Sequence, residues 1–418
     1  LANRGVLFRN AYCNNPICVP GRYSILTGKY VREIGSLEYG SGLDPRSWTY
    51  PKHFARAGYQ TTCVGKQHFM GIEKMHGWMF RPYGDMEMEG INGRKKIPGF
   101  RGDPFDGKLR DIPGHATNGM AGWVKSAGPN KKGFIHFDRM VTACSKLHLS
   151  DYFQPIIKGE YQADRPLMFQ VSYKSPHCPF WVPDDLFYYY RQKVKLPRIP
   201  PDEAGNFFLD SLRRADQPFE NTEDEILNAR AANYALIELV DREIGEVLDC
   251  ANDLGILDEM LVVMHSDHGE MNGNHGCWAK GRAYEHSVRV PLMLSLPSSI
   301  PAGTVIDTPV SNLDIFPTLC DYAGIDMPDG LRGESLRGLI NGNDLTRWDS
   351  RPIISEFFNK HSGWTMVRQR NLKYVDYWGH PNDKFPLDKW DRNGWQKASQ
   401  LFDLESDPDE TINLADNR

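Results

Sequence analysis

Ile17-Cys18-Val19-Pro20-Gly21-Arg22-Tyr23-Ser24-Ile25-Leu26-Thr27-Gly28-Lys29-Tyr30 carries the pattern that decides the fold. It follows a run, Gly5 to Tyr12, that reads as a strand. Pro20 suits the first turn of a helix, where its missing N–H costs nothing. Gly28 suits the helix end. Cys18 then falls at a strand-to-helix turn, near unpaired backbone N–H groups and the positive end of a helix dipole. Arg22, four positions on, lies one turn further along the same face. A nucleophile with a guanidinium nearby suits attack on an anionic, oxygen-rich group. Taken alone, a buried cysteine at a helix start with Arg22 in a surface ion pair would explain Cys-x-Pro-x-Arg equally well.

The longer run, Cys-x-Pro-x-Arg continued by Leu26-Thr27-Gly28-Lys29-Tyr30, resembles the signature of type I sulfatases. That resemblance implies an α/β fold with a large mixed central sheet flanked by helices, alkaline-phosphatase-like, and a small C-terminal α+β subdomain. It also implies that a formylglycine-generating maturase oxidises Cys18 to formylglycine, which acts as the hydrated aldehyde. Residues 1–345 are expected to form the catalytic domain and 346–418 the subdomain. The chain is expected to begin inside its domain, because Leu1 to Val6 reads as the tail of a helix entering a strand. The family's first strand ends in two metal-binding aspartates. No residues of this chain can be assigned to that pair, so either the sequence is partial or half of the usual metal site is lacking.

Composition sets outer bounds. With 418 residues, 40% hydrophobic and 25% charged, the chain has ordinary globular proportions, enough for two or three domains or one large α/β domain with an appendage. A formal net charge of −5 argues against a general nucleic-acid binder. No apolar run approaches the ~18 residues that a membrane span needs. The eight cysteines are scattered without Cys-x-x-Cys spacing, which points to neither a zinc site nor a dense disulfide framework and leaves one or two disulfides open.

Further chemistry falls after later strands. Trp48 to Gly58 has helical spacing, and Tyr59 to Val64 reads as a strand ending in Gly65-Lys66-Gln67-His68. A solvated loop would explain those residues alone; beside the cysteine motif they resemble the sulfatase Gly-Lys-x-His element. There the lysine contacts sulfate and nucleophile, and the histidine contacts the nucleophile. Residues 80–135 read as a long insertion of loops and short elements at the rim of the site, with His115 a surface or pocket residue, and 181–222 reads as another loop. Phe137 to Phe153 reads as a helix with Met140, Val141, Cys144 and Leu147 on its apolar side. Pro166 to Tyr173 reads as a strand leading to Lys174-Ser175-Pro176-His177-Cys178-Pro179-Phe180. Two prolines stiffen the backbone around His177, and the run resembles the family's Pro-His-x-Pro-Phe, whose histidine faces the bridging oxygen. Lys174 is a second anion-contact candidate.

Glu223 to Ala251 is the clearest helix, with Ile226, Ala229, Ile237, Val240 and Ile244 in period and Thr222 with Glu225 as a capping box. Met260 to His265 then reads as a buried strand ending in Ser266-Asp267-His268-Gly269-Glu270. A carboxylate and an imidazole at a strand's end can ligate metal, and the run resembles the family's second metal element. Asp267 and His268 are therefore expected ligands, with Ca2+ the ion the resemblance implies. Lys280, in Ala279-Lys280-Gly281, resembles the lysine that contacts sulfate across the pocket. Tyr284 to Leu292 and Pro309 to Leu319 match largely structural family stretches. Short antiparallel strands follow near Ile353, Thr365 and Leu372, and Leu401 to Glu410 resembles the family's closing turn and helix.

Candidate residues thus fall after four predicted strands, and open α/β sheets form sites outside strand carboxyl ends. The expected activity is hydrolysis of a sulfated carbohydrate or small sulfate ester. Arg22, Lys66 and Lys280 offset sulfate charge, His177 protonates the leaving oxygen, and His68 helps release sulfate. A phosphate or phosphonate monoester hydrolase of the same superfamily and a non-catalytic sulfated-glycan binder are the alternatives. Trp78, Trp123, Trp181, Trp390 and Trp395 are sugar-stacking candidates, though packing is the commoner use of each. A periplasmic or secreted location follows from the resemblance alone.

Overall fold

The computed structural model describes residues 1–37, 40–84, 119–129, 135–160, 165–198, 221–358, 362–379 and 396–417. Contacts divide the chain into two compact units. The first holds residues 1–47 and 261–418, and the second holds residues 48–198 and 221–260 among the described residues.

In the first unit the sheet is mixed. Strand Arg289–Ser295 lies at its centre, antiparallel to Val6–Tyr12 on one side and to Val262–His265 on the other. Val6–Tyr12 pairs in parallel with Thr304–Ile306 and Val310–Ser311 on its far edge. Two strands that flank a common antiparallel partner must run parallel to each other. The carboxyl ends at Tyr12 and His265 therefore emerge at one sheet edge, where Arg289 begins the central strand. Strand Val6–Tyr12 buries Val6, Phe8, Ala11 and Tyr12 at 1% exposure or less, while Arg9 between them is exposed.

A second sheet, Ile353–Phe358, Ser362–Gln369, Leu372–Gly379 and Gln396–Asp403, is an antiparallel meander in the same unit. Three of its strands match the expected positions. The fourth, Gln396–Asp403, runs through the start of the stretch expected to form a closing turn. This sheet is tied to the first by buried charge. Glu285 accepts hydrogen bonds from Tyr12 Oη (2.8 Å), Arg368 Nη1 (3.3 Å) and Lys373 Nζ (3.1 Å). Lys373 also pairs with Glu410 at 2.5 Å, and the Glu285 backbone N–H donates to Glu410 (2.7 Å). All four charged residues are buried, and their formal charges cancel. Pairing and hydrogen bonds offset part of the desolvation, the condition under which buried ions are tolerated.

In the second unit, strands Gln60–Gly65 and Leu167–Ser172 pair in parallel. Helices Tyr50–Arg56 and Ile135–Ile157 pack against them, and helix Glu223–Asp253 packs against Ile135–Ile157. The Thr222–Glu225 capping box forms as expected. The buried face of Ile135–Ile157 differs from the expected one. It uses Phe137, Val141, Ser145 and Leu149, one row at i+4 spacing, while Met140 and Leu147 are exposed. Ser145 and Thr142 fit this face because each hydroxyl bonds the carbonyl one turn back. Ile237 on Glu223–Asp253 is likewise exposed; the close-packed stretch is the alanine series Ala229, Ala231, Ala232 and Ala235. Helix Gly119–Lys125 is a short element within the expected insertion, and helix Asp184–Arg191 lies where a loop was expected. Each spans about two turns, too short for a period to emerge. His115, Trp390 and Trp395 lie outside the described residues. All eight cysteines are free thiols, and no helix among the described residues is long and apolar enough to cross a membrane.

The Glu410 carboxyl supplies a pH test. Burial is the largest cause raising it, to about 7, against the lowering pull of Lys373. A raised carboxyl binds its proton more tightly in the folded chain, so its stabilising effect is full below about pH 4.5 and declines as pH rises to about 7. Urea unfolding of the parent and of Glu410→Gln across pH 4.5–7.5 should show the parent losing stability relative to the variant by a few kcal/mol. A constant difference would mean the carboxyl is not perturbed.

Candidate active site

The site in the first unit is built on helix Cys18–Thr27. Ile17, in extended conformation, is its N-cap, and Cys18 is the first helical residue. Pro20 lies in the first turn and Gly28 closes the helix at φ 66, its N–H on Ser24 O (2.9 Å). Upstream, Asn14 and Asn15 are buried and bonded to the meander. Glu356 N–H donates to Asn14 O (2.7 Å) and Asn15 Nδ2 donates to Glu356 O (2.8 Å). Asn15 Oδ1 also accepts the Ile17 N–H (3.0 Å). These asparagines fix the turn that carries the cysteine. The sequence reading missed them; their one signal is a pair of polar residues directly between a buried strand and the cysteine motif.

Three groups from the other strand end converge on this turn. His268 Nε2 is 3.1 Å from Cys18 Sγ. Its Nδ1 is 2.8 Å from Gly269 O, and since a carbonyl only accepts, Nδ1 carries the hydrogen. In the neutral ring Nε2 therefore presents its lone pair to residue 18. Lys280 Nζ donates to the same sulfur at 3.2 Å. Arg22 Nε, one turn along the helix, donates to Asp267 Oδ2 at 2.8 Å, with both side chains largely buried. A base and a cation on one sulfur favour its ionised form. Cys13, five residues earlier, is the contrast. Burial first, then the charge of Asp267, push its thiol well above the usual range.

Close backbone approach holds the two segments together. A Cβ at Gly21 would lie 2.6 Å from Asn15 O, and one at Gly269 would lie 2.1 Å from His286 O. Gly269 in Asp267-His268-Gly269 thus lets the loop press onto the chain entering the central strand.

Cys18, Asp267 and His268 each offer one ligand atom, all within 4.8 Å of one another. A carboxylate oxygen and an imidazole nitrogen suit a divalent cation. The thiol is a soft donor that a hard ion disfavours, whereas an oxygen at position 18 would suit it. The donor set therefore fits a divalent ion best when residue 18 carries oxygen. His268 would give such an ion the same lone pair that faces Cys18.

Lys66, His68, Lys174 and His177 belong to the second unit. Lys66 follows strand Gln60–Gly65 directly, its N–H on Ser172 O (2.9 Å). Lys66 and His68 are both buried, and His68 has φ 61. Buried Asp138 accepts the backbone N–H groups of Lys174 (2.7 Å) and Ser175 (3.1 Å), so the helix Ile135–Ile157 anchors the turn that leads to His177. The His177 Nδ1 lies 2.6 Å from Cys178 O and so carries the hydrogen there. Trp78 and Trp181 are core residues at 3% and 1% exposure, which removes them as sugar platforms. Trp123 packs edge-on against Trp181.

Breaking the Arg22–Asp267 pair should be costly, because it removes the guanidinium that compensates a largely buried carboxylate. Arg22→Met is expected to lower stability by about 2–4 kcal/mol in urea unfolding at neutral pH. A change below about 0.5 kcal/mol would mean solvent screens the pair.

Comparison with known proteins agrees with this geometry. Residues 1–325 match the Sulfatase family, and residues 273–418 match the N-sulphoglucosamine sulphohydrolase C-terminal family. A choline-sulfatase of Rhizobium meliloti (strain 1021) is 30% identical over 433 residues, covering 100% of this chain and 77% of the relative. Two solved structures share the fold. The phosphonate monoester hydrolase SpPMH of Silicibacter pomeroyi has a TM-score of 0.73 at 22% identity, covering 100% of this chain and 85% of that one. A protein solved with its substrate D-glucosamine-2-N,6-O-disulfate has a TM-score of 0.69 at 20% identity, covering 99% and 87%. With a Cys18 motif flanked by His268 and Lys280 at a sheet edge, and a family match across three quarters of its length, the chain belongs to the sulfatase family of sulfuric ester hydrolases.

Proposed function

We propose that the chain removes sulfate from a sulfated carbohydrate, using formylglycine made from Cys18. The observation that carries this reading is the contact of both His268 Nε2 and Lys280 Nζ with the side chain at position 18. Formylglycine would supply a hydroxyl nucleophile there in place of the thiol. Lys280 offsets negative charge as it builds on oxygen, and the His268 Nε2 lone pair that faces position 18 is left for the divalent ion. Arg22 keeps the Asp267 carboxylate oriented. Asp267 and His268 would hold the divalent ion, Ca2+ in this reading, whose chemistry is to acidify the nucleophile and offset sulfate charge. Lys66 binds sulfate, His177 protonates the leaving oxygen and His68 assists sulfate release, as the sulfatase resemblance of their motifs implies.

The carbohydrate preference draws support from the substrate of the glucosamine-disulfate-bound relative and from the match at residues 273–418. Small sulfate esters are the second class, after the choline-sulfatase relative. A formylglycine-generating maturase and a periplasmic or secreted location complete the reading.

Peptide mass spectrometry of the Cys18 peptide tests it first, on chain coexpressed with the maturase and alkylated before digestion. The expected peptide resists alkylation and carries the aldehyde mass. That protein should hydrolyse sulfated glucosamines, choline sulfate or aryl sulfates, and Cys18→Ala should lose about 10³-fold or more in kcat. Fully alkylated Cys18 despite an active maturase, or a preference for phosphonate esters over every sulfate ester, would overturn it. Dialysis against a chelator should lower turnover at least tenfold, with Ca2+ restoring it; turnover untouched by chelation would remove the metal from the reading.

A further inference from the structure

Lys280 reaches the nucleophile from a backbone that does not hold itself in place. Its neighbours Ala279 and Gly281 have φ 61 and φ 85. An L-residue such as Ala279 enters that region only when its surroundings impose it. The lysine stem is long and flexible, so the position of its Cα decides where the ammonium can go.

The surroundings clamp this short loop on both sides. Upstream, Glu270 Oε1 accepts the Ala279 N–H at 2.5 Å and the Asn272 N–H at 3.2 Å. Met271 N–H closes the same turn on Ala279 O at 2.7 Å. Downstream, Trp364 Nε1–H donates to Gly281 O at 3.1 Å. Trp364 is fully buried and its ring stacks on Phe357, with centroids 6.1 Å apart and planes at 25°. A Cβ on Gly281 would meet Ile17 Cδ1 at 3.4 Å and Phe357 Cε2 at 3.7 Å, so the loop also lies close to the residue that caps the nucleophile helix. One anchor comes from the Asp267-His268 loop and the other from the C-terminal meander.

We propose that Glu270 and Trp364 are positioning residues that clamp Ala279 and Gly281 so that the Lys280 ammonium bears on the side chain at position 18. Neither side chain is assigned a contact with substrate. Each acts through Lys280, and the effect on turnover rests on the sulfatase reading given above.

Three variants separate anchoring from fold and charge. Glu270→Ala removes the acceptor, Glu270→Gln keeps an acceptor oxygen without the charge, and Trp364→Phe keeps the stacked ring without the N–H. In maturated enzyme, Glu270→Ala and Trp364→Phe should each lower kcat for an aryl sulfate about 30-fold with KM within about threefold, the scale of a roughly 1 Å misplacement. Glu270→Gln should remain within about fivefold of the parent. Combined with Lys280→Ala, either anchor variant should cost less than about twofold more, because the lysine through which it acts is already gone. Crystal structures of Glu270→Ala and Trp364→Phe should show Lys280 Nζ beyond hydrogen-bond reach of residue 18, with His268 in place. Lys280 unmoved in both structures, or losses that multiply with Lys280→Ala, would overturn the proposal. A parent with no sulfate-ester turnover would count against the proposed function alone, since the variant structures still decide where Lys280 goes.

Discussion

One constraint organises the surroundings of Cys18: the strand Arg289–Ser295 runs antiparallel to both of its neighbours. That pairing brings the ends of Val6–Tyr12 and Val262–His265 to the same edge. The helix that presents Cys18 leaves from one end, and the loop with Asp267 and His268 leaves from the other. A slip of one residue in either register would turn alternate side chains to the opposite face and carry the two loops apart. The close backbone contacts at Gly21 and Gly269 are the local expression of the same fit.

The second level of organisation is electrostatic. The meander of the last residues is joined to the sheet that carries Cys18 through Glu285, Arg368, Lys373 and Glu410, with Tyr12 at the end of the first strand as the neutral partner. Apolar packing alone tolerates sliding, whereas this cluster accepts one arrangement, because any other leaves a charge buried without its partner. The arrangement matters at the site, since the meander also supplies the backbone groups that hold Asn14 and Asn15 and the indole that holds Gly281.

Much of this could be read from residues in order. The strand before Cys18, the helix to Thr27 and its glycine stop follow from local propensity and capping, and they formed as expected. The same holds for the long helix with its Thr222–Glu225 box. What stayed hidden depends on tertiary partners. Met140 and Leu147 look apolar enough for a core, yet Ser145 and Thr142 occupy the packed face because the Ser145 hydroxyl bonds its own helix and that of Thr142 also reaches Glu243 on the long helix. Arg22 also bonds Asp267, a pairing across 245 residues that no local pattern announces. Asn14, Glu270 and Trp364 are ordinary letters until the folded chain shows what their polar atoms hold.

The bond from Asn15 Nδ2 to Glu356 O spans 341 residues. During synthesis the turn carrying Cys18 is therefore made long before the strand that fixes it. At about 5–20 residues per second, the thiol precedes its final scaffold by roughly 20–70 s. Over that interval the asparagines have water as their partner and Cys18 stands in an unfinished site. On the formylglycine reading proposed above, the order of the chain's own strands leaves a delay in which a maturase can meet Cys18.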